Sequence, residues 1–176
     1  LVSHVPHKDV SQFTKHVQMV SYGDDNVFNI DPNIAQIFNM STLTNAMAIF
    51  NMTYTDEHKG TTIVNLRPLS HISFLKRNFS PTTTFERKYL APLDIDTINE
   101  MLFWIRKADD LNNQSHYEQI VGTVLIEASL HPPEVYERFT AYFDTIHEMG
   151  LFEQVPMPSY TAQLYKTLDL DDPYLN

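Results

Sequence analysis

The sequence predicts an α+β fold: a β-hairpin, a helix and short antiparallel strands, followed by a mainly helical second part. Three observations predict it. Residues 17–22 and 27–30 are β-branched, aromatic or apolar, and the Gly-Asp-Asp break between them is hairpin chemistry. From residue 95 onward the apolar residues recur with the 3.6-residue period of amphipathic helices. The charge also changes character along the chain: residues 1–80 hold six basic and six acidic side chains, whereas residues 81–176 hold six basic and sixteen acidic ones, so the net charge of −10 belongs to the second part.

Taken in order, residues 17–30 form the hairpin, with both strands expected to be largely buried and Gly23 supplying a positive φ at little cost. In "DPNIAQIFNMSTLTNAMAIF", Asp31 can cap and Pro32 suits the first helical position. An apolar stripe of Ile34, Ile37, Phe38, Leu43, Met47 and Phe50 then predicts one helix of about 18 residues packed on the sheet. The runs "MTYT", "TTIVNL" and "ISFLKRNF" read as short strands separated by "DEHKG" and the Pro68 turn. After the Ser80-Pro81 break, strand-like "TTTFERKYLA" leads into helices at 95–107, 117–130 and 133–149. Ser115 and Glu118 are expected to form a capping box, and Gly150 to stop the last helix. Val135, Phe139, Tyr142, Phe143 and Ile146 mark that helix's apolar positions.

A chain of 176 residues with 43% hydrophobic content can fill one ordinary domain or two small ones. No apolar run approaches the roughly 20 residues of a membrane-spanning helix, and "LVSHVPHKDV" lacks the basic and apolar regions of a signal peptide. The absence of cysteine excludes disulfides and thiolate metal sites and fits a reducing compartment. Without a secretory signal, the Asn-X-Ser/Thr matches at Asn39, Asn51, Asn78 and Asn113 read as chance. A start at Leu1, close to organised pattern, is expected of a fragment or processed product.

The chemistry concentrates at Asp24 and Asp25. Neighbouring carboxylates on a stiff turn repel each other, and a cation relieves the repulsion. Mg²⁺ suits such a pair because it takes oxygen ligands and uses one or two carboxylates plus substrate phosphates. Two ions held this way stabilise the attacking and leaving oxygens of nucleotidyl transfer. His4 and His7 have a HxxH spacing, but Pro6 intervenes and no third ligand is near, which argues against zinc. There is no Gly-rich phosphate loop, Ser-centred elbow or HExxH.

The stretch "SYGDDN", with Tyr22, Gly23, Asp24, Asp25 and Asn26, resembles motif C of viral RNA-dependent RNA polymerases of the picorna-like viruses, particularly the dicistrovirus and iflavirus type. "MTYTDEHKG" resembles motif D, with Lys59 at the lysine position and His58 as a rival proton donor. "FLKR", Phe74, Leu75, Lys76 and Arg77, looks like motif E, the turn that supports the primer. Strand alternation would put Phe74 and Lys76 on one face and Leu75 and Arg77 on the other, and read alone the tetrapeptide is equally a basic edge that blunts aggregation. "RKYLAPLDIDTINEMLFWIRK" is similar to the passage into the thumb, where Arg87, Lys88, Arg106 and Lys107 are candidate duplex contacts or simply solvated charges. Trp104 reads as core.

The resemblance implies a right-hand polymerase, with residues 1–80 as the C-terminal part of the palm (motifs C, D and E) and 81–176 as the thumb. It implies RNA-templated RNA synthesis with Mg²⁺ (or Mn²⁺) held by Asp24, with Asp25 in support. Lys59 would assist departure of pyrophosphate. The implied partners are RNA template and primer or product duplex, nucleoside triphosphates and other viral replication proteins. The implied setting is the host cytoplasm at a membrane-associated replication complex, within a polyprotein. Motifs A, B and F do not occur in these residues, so the piece is expected to be inactive alone. A reverse transcriptase palm and thumb, or a non-catalytic acidic helical module, are the alternative readings.

Overall fold

A computed structural model describes residues 13–57, 59, 63–82, 89–103 and 113–170. The chain divides into two compact units, residues 1–75 and 76–176.

In the first unit a short helix α1 (Phe13–His16) runs into strand β1 (Val17–Tyr22), which pairs antiparallel with β2 (Asp25–Ile30) in a register from Val17 opposite Ile30 to Tyr22 opposite Asp25. The second strand therefore starts at Asp25, two residues before its expected start, and the turn is only Gly23-Asp24. Gly23 has φ +62°, as the first central position of a type II′ turn requires. At the open end of the hairpin the Asp31 N–H donates to the His16 carbonyl at 2.8 Å, and the His16 Nδ1 and Asp31 Oδ2 lie 2.9 Å apart. The Asn33 N–H, first, and then His16 hold the Asp31 carboxyl below the usual carboxylate range.

The single long helix expected over 32–50 is interrupted. Residues Pro32–Ile34 form one 3-10 turn, and the α-helix α2 spans only Met40–Ala48. The cause lies in Asn39, which is extended (φ −159°, ψ 177°) and closes a capping box: its Oδ1 accepts from the Thr42 N–H at 3.1 Å, while Thr42 Oγ1 accepts from the Asn39 N–H at 3.0 Å. Its Nδ2 also donates to the Ala35 carbonyl at 2.8 Å, so this one amide closes the preceding turns and opens the helix. Of the apolar stripe, Phe38 makes the contact with the hairpin, with its ring edge-on to Phe28 at 5.5 Å, whereas Ile37 and Phe50 are exposed. No residue of α2 is buried.

The strands expected at 52–55 and 63–66 are absent, and 61–62 lie outside the described residues. An extended segment needs ladder partners for its backbone groups, and here side chains and a helix terminus take their place. Met40 N–H donates to the Asn65 carbonyl at 3.3 Å, Ser41 N–H to Asn65 Oδ1 at 3.1 Å, and Thr44 Oγ1 to the Tyr54 carbonyl at 3.4 Å. A 3-10 turn (Leu69–His71) precedes β3 (Ser73–Phe74), which closes the unit.

The second unit starts with β4 (Arg77–Asn78), then β5 (Ser80–Pro81) paired with β6 (Tyr89–Leu90). Four helices follow: α3 (Ile95–Met101), α4 (Asn113–Ala128), α5 (Pro133–Glu148) and α6 (Tyr160–Thr167). Asp94 caps α3 by accepting from the Asp96 N–H at 2.9 Å. The helix ends at Met101, earlier than expected, and 104–107 lie outside the described residues. α4 starts before its expected capping residue, so Ser115 sits inside the first turn and the Ser115–Glu118 box does not form the terminus. α5 and the Gly150 stop, at φ +68°, agree with the sequence reading.

The core of this unit joins Leu93 and Ile98 to Tyr117, Val121, Val124 and Leu125 of α4 and Tyr136, Phe139 and Phe143 of α5. Each fully buried aliphatic contributes about 1.5–3 kcal/mol. Tyr136, absent from the expected apolar positions, is buried and donates its hydroxyl to the Pro158 carbonyl at 2.8 Å, whereas Tyr142 is exposed. The short α6, capped by Ser159, was not anticipated; its eight residues give little more than two turns of pattern.

Candidate active site

Asp24 and Asp25 sit at the tip of the hairpin, and both are exposed. The first strand behind them is exposed too, with only Val17 of β1 buried and Met19, Val20 and Tyr22 55%, 62% and 71% exposed, while β2 is half-buried at Asn26, Val27, Phe28 and Ile30. This overturns the expectation of two buried strands. The physical reason is that the sheet has two strands: Phe38 packs edge-on against Phe28 at 5.5 Å, while Met19, Val20 and Tyr22 of β1 stay open to solvent.

What orders the tip is polar. Asn26 Nδ2 donates to the Asp24 carbonyl at 3.2 Å, and its Oδ1 accepts from the Tyr54 hydroxyl in a short hydrogen bond. The orientation of this amide follows from its neighbours: a backbone carbonyl only accepts, so Nδ2 faces Asp24, and the remaining oxygen requires Tyr54 to donate. Burial pushes the Tyr54 hydroxyl's pKa up, outweighing the opposing effect of the Asn26 bond and keeping the donor protonated. Asn26, for which sequence pattern suggests no physical role, thus cross-links the acidic turn to a residue 28 positions away.

Lys59 is exposed and left-handed, at φ +51°, with its N–H donating to the Asp56 carbonyl at 3.0 Å. The loop in front of it is pinned by Arg67, whose guanidinium reaches Asp56 Oδ2 at 2.6 Å and Glu57 Oε1 at 2.8 Å. No sequence signal singled out Arg67, because the pairing joins loop residues with no helical or strand spacing. His58, the rival proton donor, lies outside the described residues, as do His4, His7, Arg87, Lys88, Trp104, Arg106 and Lys107.

The tetrapeptide Phe74–Leu75–Lys76–Arg77 does not alternate as a strand. Leu75 and Lys76 both have positive φ (53° and 61°), the signature of a type I′ turn, and they lie between β3 and β4. Lys76 is exposed, with its Nζ 3.9 Å from Glu100. Arg77 points into its own unit, where Nη1 donates to the Ala91 carbonyl at 2.9 Å and to Glu127 Oε2 at 2.8 Å, and Nη2 to Glu127 Oε1 at 2.7 Å.

As a metal site the turn supplies two exposed carboxylates. Among the described residues no group of three or more His, Asp or Glu is placed to hold an ion. Two oxygen ligands are a partial set of the kind Mg²⁺ accepts when waters and substrate phosphates complete the shell.

The fold is that of a polymerase. The solved structure of a Sicinivirus 3Dpol RNA-dependent RNA polymerase superposes with a TM-score of 0.68 at 18% identity, covering 95% of this chain and 32% of that one. A family model for viral RNA-dependent RNA polymerase matches residues 4–147, and the chain belongs to that family. It is 37% identical over 133 residues (74% of the chain) to the replicase polyprotein of Drosophila C virus. It is 31% identical to those of Cricket paralysis virus, over 94% of the chain, and acute bee paralysis virus, over 87%. The chain spans only 7–9% of the length of these polyproteins.

Proposed function

We propose that this chain is the C-terminal palm and the thumb of an enzyme that copies RNA from an RNA template during viral replication, with the palm over residues 1–80 and the thumb over 81–176. The observation that carries the reading is the family match across residues 4–147, with Asp24 in a two-residue hairpin turn and Asp25 beside it at the start of β2 inside that match.

In the reaction the primer 3′-oxygen forms a bond to the α-phosphorus of the incoming nucleoside triphosphate, the bond to the bridging oxygen breaks, and pyrophosphate leaves. Bound Mg²⁺ (or Mn²⁺) supplies charge stabilisation to the attacking and leaving oxygens. Asp24 is its main ligand from this chain, and Asp25 supports metal or nucleotide contact. The remaining ligands come from outside these residues, so the 176-residue piece is inactive alone. Lys59 donates a proton to the departing pyrophosphate or stabilises its charge. Phe74, Leu75 and Lys76 present the turn that steadies the primer. Arg77 builds that turn's base through Glu127 and Ala91.

RNA template and primer, nucleoside triphosphates and other replication proteins are the partners, and a membrane-associated complex in the host cytoplasm is the setting. No helix among the described residues is long and apolar enough to cross a membrane.

Templated incorporation by the full-length polymerase is the test. Asp24→Asn abolishes ribonucleotide incorporation on primed RNA while the protein still folds; synthesis at the wild-type rate, or a preference for deoxyribonucleotides, overturns the reading.

A further inference from the structure

We propose that Tyr54 is a positioning residue for nucleotidyl transfer, its hydroxyl holding Asn26 and, through Asn26, the turn that presents Asp24 and Asp25. The inference rests on the functional reading above and adds to it a residue outside the acidic motif.

Three observations lead to it. First, the hairpin cannot aim its own tip. A two-stranded hairpin is marginal by itself, β1 buries only Val17, and a Cβ at Gly23 would meet nothing within 4 Å, so packing does not fix the direction of the carboxylates. Second, the Asn26 side chain joins the Asp24 carbonyl on one side to the Tyr54 hydroxyl on the other. Rotation of the turn breaks one bond or the other. Third, Tyr54 is itself anchored. Its ring is partly buried, its carbonyl accepts from Thr44 Oγ1 at 3.4 Å, and two residues later Asp56 begins the Arg67-pinned loop whose carbonyl receives the Lys59 N–H. The same tether therefore sets where the acidic turn stands relative to the start of the lysine loop.

The chemistry makes such a tether matter. Nucleotidyl transfer needs the metal ligands and the proton donor placed to within a fraction of an ångström, and a misplacement of about 1 Å can cost on the order of 100-fold in rate. Partners behind metal ligands commonly change metal affinity or activity by about 10–100-fold when removed. Tyr54 acts one step further back, through a side-chain amide and a backbone carbonyl, so a smaller effect follows.

The experiment uses the full-length polymerase, with Tyr54→Phe, Asn26→Ala and the double variant measured for single-nucleotide incorporation at varied Mg²⁺. Tyr54→Phe keeps the ring and removes only the hydroxyl. It is expected to lower turnover about fivefold to tenfold and to raise the Mg²⁺ concentration for half-maximal rate about threefold or more. The double variant is expected to be no worse than Asn26→Ala, because both substitutions break one chain of bonds. A merely structural role would lower the fraction of active enzyme and leave the Mg²⁺ requirement where it was. An unchanged Mg²⁺ requirement in Tyr54→Phe, or effects that multiply in the double variant, overturns the proposal. Asp24→Asn in parallel separates the two readings: if it is inactive while Tyr54→Phe behaves as wild type, only the positioning role fails, and if it is active, the polymerase reading fails.

Discussion

Arg77 and Glu127, fifty residues apart, are joined by two parallel hydrogen bonds of 2.8 and 2.7 Å, so the start of the second unit is clamped to the core helix α4. The Glu127 side chain is 14% exposed and that of Arg77 36%. A bidentate charged pair is stronger than an ordinary surface ion pair, but the guanidinium is screened on its open side. Arg77→Ala is therefore expected to destabilise the protein by about 1–2 kcal/mol. Arg77→Lys recovers less than half of that, because an ammonium cannot make two parallel bonds. Urea unfolding of these variants checks this; an Arg77→Ala protein as stable as wild type would contradict it.

The Leu75-Lys76 turn carries a cost that can be removed. Both residues are left-handed, a conformation that costs an ordinary side chain about 1–2 kcal/mol and that asparagine tolerates better. Leu75 is 41% exposed, so little burial is lost on replacing it. Leu75→Asn is expected to raise stability by about 0.5–1 kcal/mol, read as a higher urea midpoint at unchanged slope. The proposed function gives this turn the task of steadying the primer. The same variant is therefore expected to bind primed RNA more weakly in the full-length enzyme.

The elements legible in the sequence were those whose signal is local or periodic. The Gly23 turn, the α5 period and the Gly150 stop each depend on a few neighbouring residues, and each is found. The interruption before α2 was not legible because Pro32 and the apolar stripe favour one long helix, while the Asn39–Thr42 box that divides it is decided by a single extended residue. Strands at 52–55 and 63–66 failed for a different reason: β-propensity describes a surface ready to pair, and pairing needs a partner that sequence does not name. The acidic turn was found from its motif, but the Asn26–Tyr54 bond and the Arg67 pairs that order its surroundings are long-range side-chain contacts without spacing rules.

Alkaline stability follows from two buried tyrosines of the second unit, Tyr117 and Tyr136, and the half-buried Tyr160. Burial raises the pKa values of Tyr117, Tyr136 and Tyr160 above the ordinary 10.0, with neighbouring charged groups adding to the effect at Tyr117 and Tyr160. Because the folded values lie above the unfolded one, the stability tied to their neutral form is fully present below pH 10 and is lost as pH rises through the folded values. Unfolding midpoints are expected to be flat in these groups' contribution up to about pH 9 and to fall above about pH 10. Tyr136→Phe removes one titrating group, and the Pro158 bond with it, so it starts lower at neutral pH and falls less steeply in alkali. Parallel slopes for the two proteins would contradict the assignment.

Lys59 combines an unfavourable backbone with the chemical task proposed for it, and the two can be separated. At φ +51° glycine is the easier residue, so Lys59→Gly leaves stability unchanged or slightly improved. In the full-length enzyme it is nevertheless expected to slow incorporation by about 100-fold or more, the usual worth of a general acid. Lys59→Arg, which keeps the charge but gives up its proton far less readily, distinguishes electrostatic help from proton donation: partial activity supports the first, activity as low as Lys59→Gly the second. The neighbouring His58 supplies the control. If His58 is the donor, His58→Ala slows incorporation as far as Lys59→Gly does. If Lys59 is the donor, His58→Ala keeps the wild-type rate while Lys59→Gly loses it.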